Sequence, residues 1–168
     1  MIILNLRQKP TYTLRGNMIL IAHRGLINGP DQSNENNPRV VMDAMSAGYD
    51  AEVDLQIGND GRLYLGHDEP SYPISLDFLI QRGLWIHAKT RDALIFLANN
   101  IPNVNYFYHE EDPMVITTHG WVWNHPKHLS GIKKGRTVAV MPEYVMPIEQ
   151  IKLLDCNGIC SDYVSQLK

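Results

Sequence analysis

Acidic residues in this chain sit inside runs that otherwise read as buried strand. Ala-Glu-Val-Asp-Leu at 51–55 alternates apolar residues with Glu52 and Asp54, and similar runs lie on either side of it. Ile-Leu-Ile-Ala at 19–22 leads into His23, Arg24 and Gly25, and Leu-Tyr-Leu at 63–65 leads through Gly66 into His67 and Asp68. A continuous apolar run bounded by polar residues is the pattern of a strand covered on both faces, as in a parallel sheet. Charged groups are seldom fully buried unless paired or bound to a metal, so charge on such runs needs a reason. A site at the strand ends supplies one.

The rest of the chain follows an alternating rhythm. After the strand at 18–22, residues 26–37 are rich in Asn, Gly, Pro and Asp and read as a loop. Pro38 opens a helix whose apolar face is Val40, Val41, Ala44, Met45 and Ala47, and Gly48 stops it. A second strand spans 49–57. The turn Gly-Asn-Asp-Gly at 58–61 and an extended return over 62–66 then form a hairpin-like excursion that carries His67 back toward the strand ends. A short helix over 75–81, a strand over 84–89, a helix over 91–99 and a strand over 105–108 follow. Two short extended runs, 114–117 and 120–124, flank a Thr-His-Gly turn. A strand over 137–141, a helix over 147–154 and a last strand over 158–162 complete the chain. Strands separated by helices imply right-handed β-α-β crossovers and a parallel sheet.

A length of 168 residues suits one core, and 44% hydrophobic with 20% charged residues is ordinary globular composition. The organised domain is expected over 18–168, with 1–17 an N-terminal extension of uncertain order. A net charge of −3 gives no overall attraction to nucleic acid or an anionic membrane, so any phosphate binding must come from local positive charge. No apolar run reaches the ~18 residues of a membrane span and no leader pattern precedes the first strand, so the expected location is cytoplasmic. Cys156 and Cys160 lack the Cys-x-x-Cys spacing and are expected as buried thiols in or beside the last strand.

The polar residues on these runs form a chemical kit. His23 and His67 can move protons near neutral pH, Glu52 and Asp54 share one face of a strand and can share a divalent cation, and Arg24 offers a planar fork to phosphate oxygens. His-Arg-Gly (23–25), Glu-Asn (35–36), Glu-x-Asp (52–54), Asp-Gly (60–61) and His-Asp (67–68), in that order, resemble the glycerophosphodiester phosphodiesterase family, whose barrel is of the phosphatidylinositol-phospholipase-C-like type. The resemblance covers 18–90 and continues only as strand rhythm beyond.

That resemblance implies an α/β fold of (β/α)8 TIM type. Such barrels usually need ~200 residues or more, so a trimmed barrel is expected, with minimal helices in its second half and an irregular or absent eighth strand. It implies metal-assisted hydrolysis of a small-molecule phosphodiester, with His23 and His67 as general acid and base. Arg24 and Lys89 would hold phosphate, and Glu52 and Asp54 would bind Mg²⁺ or Ca²⁺, with Mn²⁺ the further option. Asn36 is expected to line the site with Glu35 orienting it, and Trp123, alternating with Trp121, to wall the substrate pocket. In Ile-His-Ala-Lys (86–89) the lysine of the family pattern is kept, but His87 occupies the place of a metal-binding glutamate. His87 is therefore a candidate third ligand in place of that glutamate. His109-Glu110-Glu111-Asp112 and Ser161-Asp162 are expected near the rim. Two other functions fit the residues: a non-catalytic phosphoester-binding module, and a lyase that releases a cyclic phosphate. The oligomeric state stays open.

Overall fold

The computed structural model describes residues 18–168, and the segment 1–17 lies outside the described residues. β1 (Ile19–Ala22) pairs in parallel with β2 (Asp50–Ile57), which pairs on its other edge with β5 (Leu84–Ala88), and β5 with β6 (Tyr106–Phe107). On its far side β1 pairs with β10 (Gly158–Ser161), then β9 (Thr137–Val140), then β8 (Val122–Asn124). The parallel order is thus β6-β5-β2-β1-β10-β9-β8.

This sheet is curled but its ladder does not close. Between β6 and β8 Thr118 makes the junction: its N–H donates to the Tyr106 carbonyl (2.9 Å) and its hydroxyl accepts from the Tyr106 N–H (3.0 Å). The expectation of a trimmed (β/α)8-type barrel holds at the level of a curled, mostly parallel α/β sheet. The fold is α/β with a curled, mostly parallel sheet of TIM type, and a complete eight-stranded barrel is not present among the described residues. Where a further β-α unit would lie, β7 (Met114–Ile116) instead pairs antiparallel with β8. β3 (Leu63–Leu65) and β4 (Tyr72–Pro73) extend antiparallel from the end of β2.

The helices form where the sequence supplies caps. The Asn37 side chain accepts from the Arg39 N–H (3.0 Å) to start α1 (Pro38–Ser46), with Pro38 in the first turn, where its missing donor costs nothing. Thr90 starts α3 (Arg91–Asn100) by accepting from the Ala93 N–H (3.2 Å). The other two, α2 (Leu76–Leu79) and α4 (Ile148–Ile151), are single turns. No helix among the described residues is long and apolar enough to cross a membrane.

Period-two alternation sorts the strand residues into two layers. Ala51, Val53, Leu55, Leu84, Ile86 and Ala88 pack outward with Val41 and Ala44 of α1 and Ala93 and Leu97 of α3. Each fully buried aliphatic side chain there contributes roughly 1.5–3 kcal/mol. The alternate residues face inward. Ile21, Trp85, Phe107, Trp123, Val138, Val140 and Cys160 fill the interior, and Glu52, Asp54 and His87 are the inward residues nearer the carboxyl ends of β2 and β5. The acids are therefore buried because the outward places in β2 are taken by Ala51, Val53 and Leu55.

Gly66 fixes the return of the chain to this rim. A Cβ there would lie 2.0 Å from the Glu69 carbonyl oxygen, and that oxygen belongs to backbone. Gly66→Ala is expected to destabilise the protein by about 1–3 kcal/mol and to displace the loop carrying His67. A lowered urea midpoint at unchanged slope is the measurement that checks it.

Candidate active site at the carboxyl rim

Functional groups leave the carboxyl ends of successive parallel strands, which is where such barrels place their chemistry. His23 follows β1, Lys89 follows β5, His109 follows β6, His125 follows β8, Glu143 follows β9 and Asp162 follows β10. Glu52 and Asp54 lie within β2, and His87 stands opposite Asp54 in the β2–β5 register. A cleft of about 1210 Å³ opens at the opposite, amino-terminal ends between Trp85, Asn105, Trp121 and Arg136. The linked charges of His23, Arg24, Glu52, Asp54 and His87 gather at the carboxyl rim instead.

Asp54 is the hub. Its Oδ1 meets His87 Nδ1 at 3.0 Å, and its Oδ2 accepts from Asn36 Nδ2 at 2.9 Å. Arg24 Nε lies 3.1 Å from Oδ2 as a charge pair without hydrogen-bond alignment. Burial alone would push this carboxyl up, but the His87 ring, the Arg24 charge and the Asn36 amide outweigh it and hold Asp54 well below the usual carboxylate range. Glu52 goes the other way. Burial and the Asp54 charge raise its pKa, opposed by His23, His87 and Arg24, while its Oε2 accepts from the Arg24 N–H (3.1 Å). Glu52, Asp54 and His87 each present a ligand atom, all within 4.8 Å of one another. They are 3%, 1% and 7% exposed. Such a set fits a divalent cation, and one observation speaks for it directly: His87 Nε2 is buried with no partner.

Arg24 adopts a left-handed φ of 51° that turns the chain sharply off β1, and its Nη1 donates to Glu35 Oε2 at 2.8 Å. His23 Nδ1 sits 2.8 Å from Asp162 Oδ1. Burial lowers the His23 pKa, yet the Asp162 hydrogen bond and the Glu52 charge more than offset it, so the net shift is upward. Asp162 is itself held, since its N–H donates to Glu143 Oε1 (3.0 Å), which also accepts from Ser161 Oγ (2.7 Å). Asp162→Asn removes the chief cause of the upward shift and leaves burial, so His23 should lose its proton at lower pH. A downward move of the His23 titration in the variant, followed by NMR of the ring protons, checks it.

Other expected site residues fall into different places. His67 lies on the loop after β3, anchored through its carbonyl by Gln56 Nε2 (3.1 Å), with a half-exposed ring that meets Asp68 at 2.7 Å. The half-buried Lys89 follows β5, and its N–H donates to the Leu55 carbonyl (2.9 Å). Asn36 is fully buried, with its amide oxygen accepting from the Asp54 N–H (2.8 Å); it positions Asp54 and does not line an opening. Trp123 is 2% exposed and packs on Phe107 and Trp85, so it belongs to the interior and not to a substrate wall. His109 stacks on His87 with ring centroids 4.3 Å apart, and burial together with the His87 and His125 charges pushes its pKa down to about 4. His125 and Glu143 were not singled out by sequence. The signal that would have found them is their place just past strands β8 and β9.

No protein-family model and no curated protein matches the chain. Solved structures do. A proposed glycerophosphodiester phosphodiesterase from Galdieria sulphuraria superposes with a TM-score of 0.55 at 14% identity, over 89% of this chain and 96% of that one. The chain shares the fold of the glycerophosphodiester phosphodiesterases. Enzymes of that name from Thermotoga maritima (TM-score 0.47, 14% identity, 88% and 96% covered) and Parabacteroides distasonis (0.48, 12%, 90% and 95%) are also similar. Within the phosphodiesterase fold, the rim just described is where this chain gathers its titratable groups.

Proposed function

We propose that the protein hydrolyses a small glycerophosphodiester-like phosphodiester, assisted by a divalent cation at Glu52 and Asp54. The observation that carries this reading is His23, with its ring held by Asp162 and its pKa raised, standing on the same rim as two buried inward carboxylates. Arg24 and Lys89 supply positive charge for the phosphate oxygens. His67, half-exposed, takes the proton of an attacking water, and His23 gives its proton to the departing alkoxide. One P–O bond forms to the water oxygen while the P–O bond to the leaving group breaks. The cation, when bound, supplies charge to the developing phosphorane oxygens. Two carboxylates favour Mg²⁺ or Ca²⁺, and the imidazole beside them favours Mn²⁺.

A hydrolysis screen on glycerophosphodiesters and a chromogenic bis-phosphate ester tests it, run in EDTA and then with Mg²⁺, Ca²⁺ or Mn²⁺ added singly. Turnover that EDTA abolishes and one ion restores is the expected result. Tight phosphoester binding without turnover would make the protein a binding module. A cyclic phosphate as final product, with no solvent oxygen incorporated, would make it a lyase.

A further inference from the structure

The interior of the sheet holds a nitrogen where an all-oxygen cation site would have none. We propose that Glu52, Asp54 and His87 form a mixed oxygen–nitrogen centre that binds a Mn²⁺- or Zn²⁺-type ion in preference to Mg²⁺ and Ca²⁺. The inference deepens the metal part of the function proposed above and rests on it, but it does not depend on which ester is cleaved.

The backbone sets up the donor group. Residues two apart on a strand share a face, which brings the Glu52 and Asp54 carboxylates together, and the parallel register puts His87 directly across from Asp54. All three are more than nine-tenths buried. The ring of His87 is also fixed in orientation, lying parallel to Phe107 (centroids 5.1 Å, 5° between planes) and to His109 (4.3 Å, 6°). Aromatic neighbours in the same orientation hold it toward Asp54 and away from solvent.

A neutral imidazole carries one proton and one lone pair. With the proton on Nδ1, donated to Asp54 Oδ1, the lone pair is on Nε2, which is buried and has no partner among the described residues. With the proton on Nε2, Nδ1 offers its lone pair 3.0 Å from the Asp54 oxygen, the spacing of neighbouring ligands on one ion. The two ring lone pairs diverge, so the donor that faces the carboxylates is Nδ1, beside Asp54, on a ring that the stacked Phe107 and His109 orient. Mg²⁺ and Ca²⁺ take oxygen ligands almost throughout, whereas Mn²⁺, Fe²⁺ and Zn²⁺ accept imidazole with carboxylate. The two carboxylates keep the site anionic enough for a dication, and the third donor chooses among dications.

The test uses the full-length protein stripped with EDTA and dialysed. Calorimetric titration with MgCl₂, CaCl₂, MnCl₂ and ZnCl₂ separately should show one Mn²⁺ or Zn²⁺ bound, tighter than Mg²⁺ or Ca²⁺ by on the order of tenfold or more. Long-range ¹H–¹⁵N spectra of the histidine rings, recorded with and without Zn²⁺, should show a nitrogen of His87 shifting to a ligated position. His87→Gln, which removes the ring nitrogens at similar size, should lose the preference. The ring spectra of the unaltered protein decide the matter if that variant does not fold.

Equal or tighter Mg²⁺ or Ca²⁺ binding, Zn²⁺ bound elsewhere with His87 unshifted, or no ion bound at all would each overturn the proposal. Its failure is separable from that of the hydrolase reading. Mn²⁺ bound through His87 with no ester cleaved sinks only the hydrolase, and ester cleaved with Mg²⁺ and an unshifted His87 sinks only the mixed centre.

Discussion

Asp54→Asn is expected to abolish divalent-cation binding and to cost about 3–5 kcal/mol of stability, the range for removing one member of a buried charge network. Asp54 is 1% exposed and meets His87, Asn36 and Arg24 at once, so no partner can turn to water when its charge is lost. The neutral amide also puts a donor where His87 and Asn36 already direct theirs, leaving unsatisfied buried groups. One term opposes the loss, because Asp54 and Glu52 repel and the variant relieves Glu52. The pH dependence separates these effects. The folded pKa of Asp54 is depressed, so its contribution is present above the ordinary carboxylate range and is lost as pH falls through the folded value. Urea melts should therefore show the full gap between variant and parent at neutral pH, with the gap narrowing under strong acid. A variant as stable as its parent at neutral pH would mean that Arg24 and His87 gain nothing from this carboxylate.

The same residue shows how far the sequence could be read. Alternation around Glu52 and Asp54 marked a strand with acids on one face, and the structure has that strand at Asp50–Ile57 with Ala51, Val53 and Leu55 facing outward. The helix opened by Pro38 and the hairpin return before His67 were legible because Pro, Gly and turn residues act locally, although the Asn37 cap was not read. That the barrel is trimmed was legible from length, but the place of the gap was not. Whether β6 meets β8 depends on contacts between Thr118 and Tyr106, and no periodicity records a junction made by one residue. Trp123 failed as a pocket wall for a related reason: alternation told that one of each strand's faces points inward, but not that the interior at that level is filled by Trp85 and Phe107. Asn36 was read as touching substrate when its place is behind Asp54, since a buried amide and a site-lining amide look alike in sequence. Glu143 was invisible because its role, holding Asp162, exists only once β9 and β10 lie side by side.

His23→Ala and His67→Ala should each lower kcat/KM by about 10²–10⁴-fold, the usual worth of a positioned general acid or base, with cation affinity unchanged. The two should differ in stability. His67 is partly exposed and the hydrogen bond of its ring goes to exposed Asp68, so its loss should stay within about 0.5 kcal/mol. His23 is more enclosed and shares a hydrogen bond with buried Asp162, so its removal leaves that carboxylate short of a partner and should cost about 1–3 kcal/mol. They should differ in chemistry as well. A leaving group that needs no protonation, such as p-nitrophenolate, should restore most of the rate to His23→Ala if that ring supplies the proton, and should not restore His67→Ala, which lacks the base. Added imidazole should rescue the exposed position better than the enclosed one, because only the former has room at solvent. Equal rescue of both by the activated ester would reverse or erase the assignment of acid and base, while an unchanged kcat/KM in His67→Ala would remove the loop after β3 from the reaction altogether.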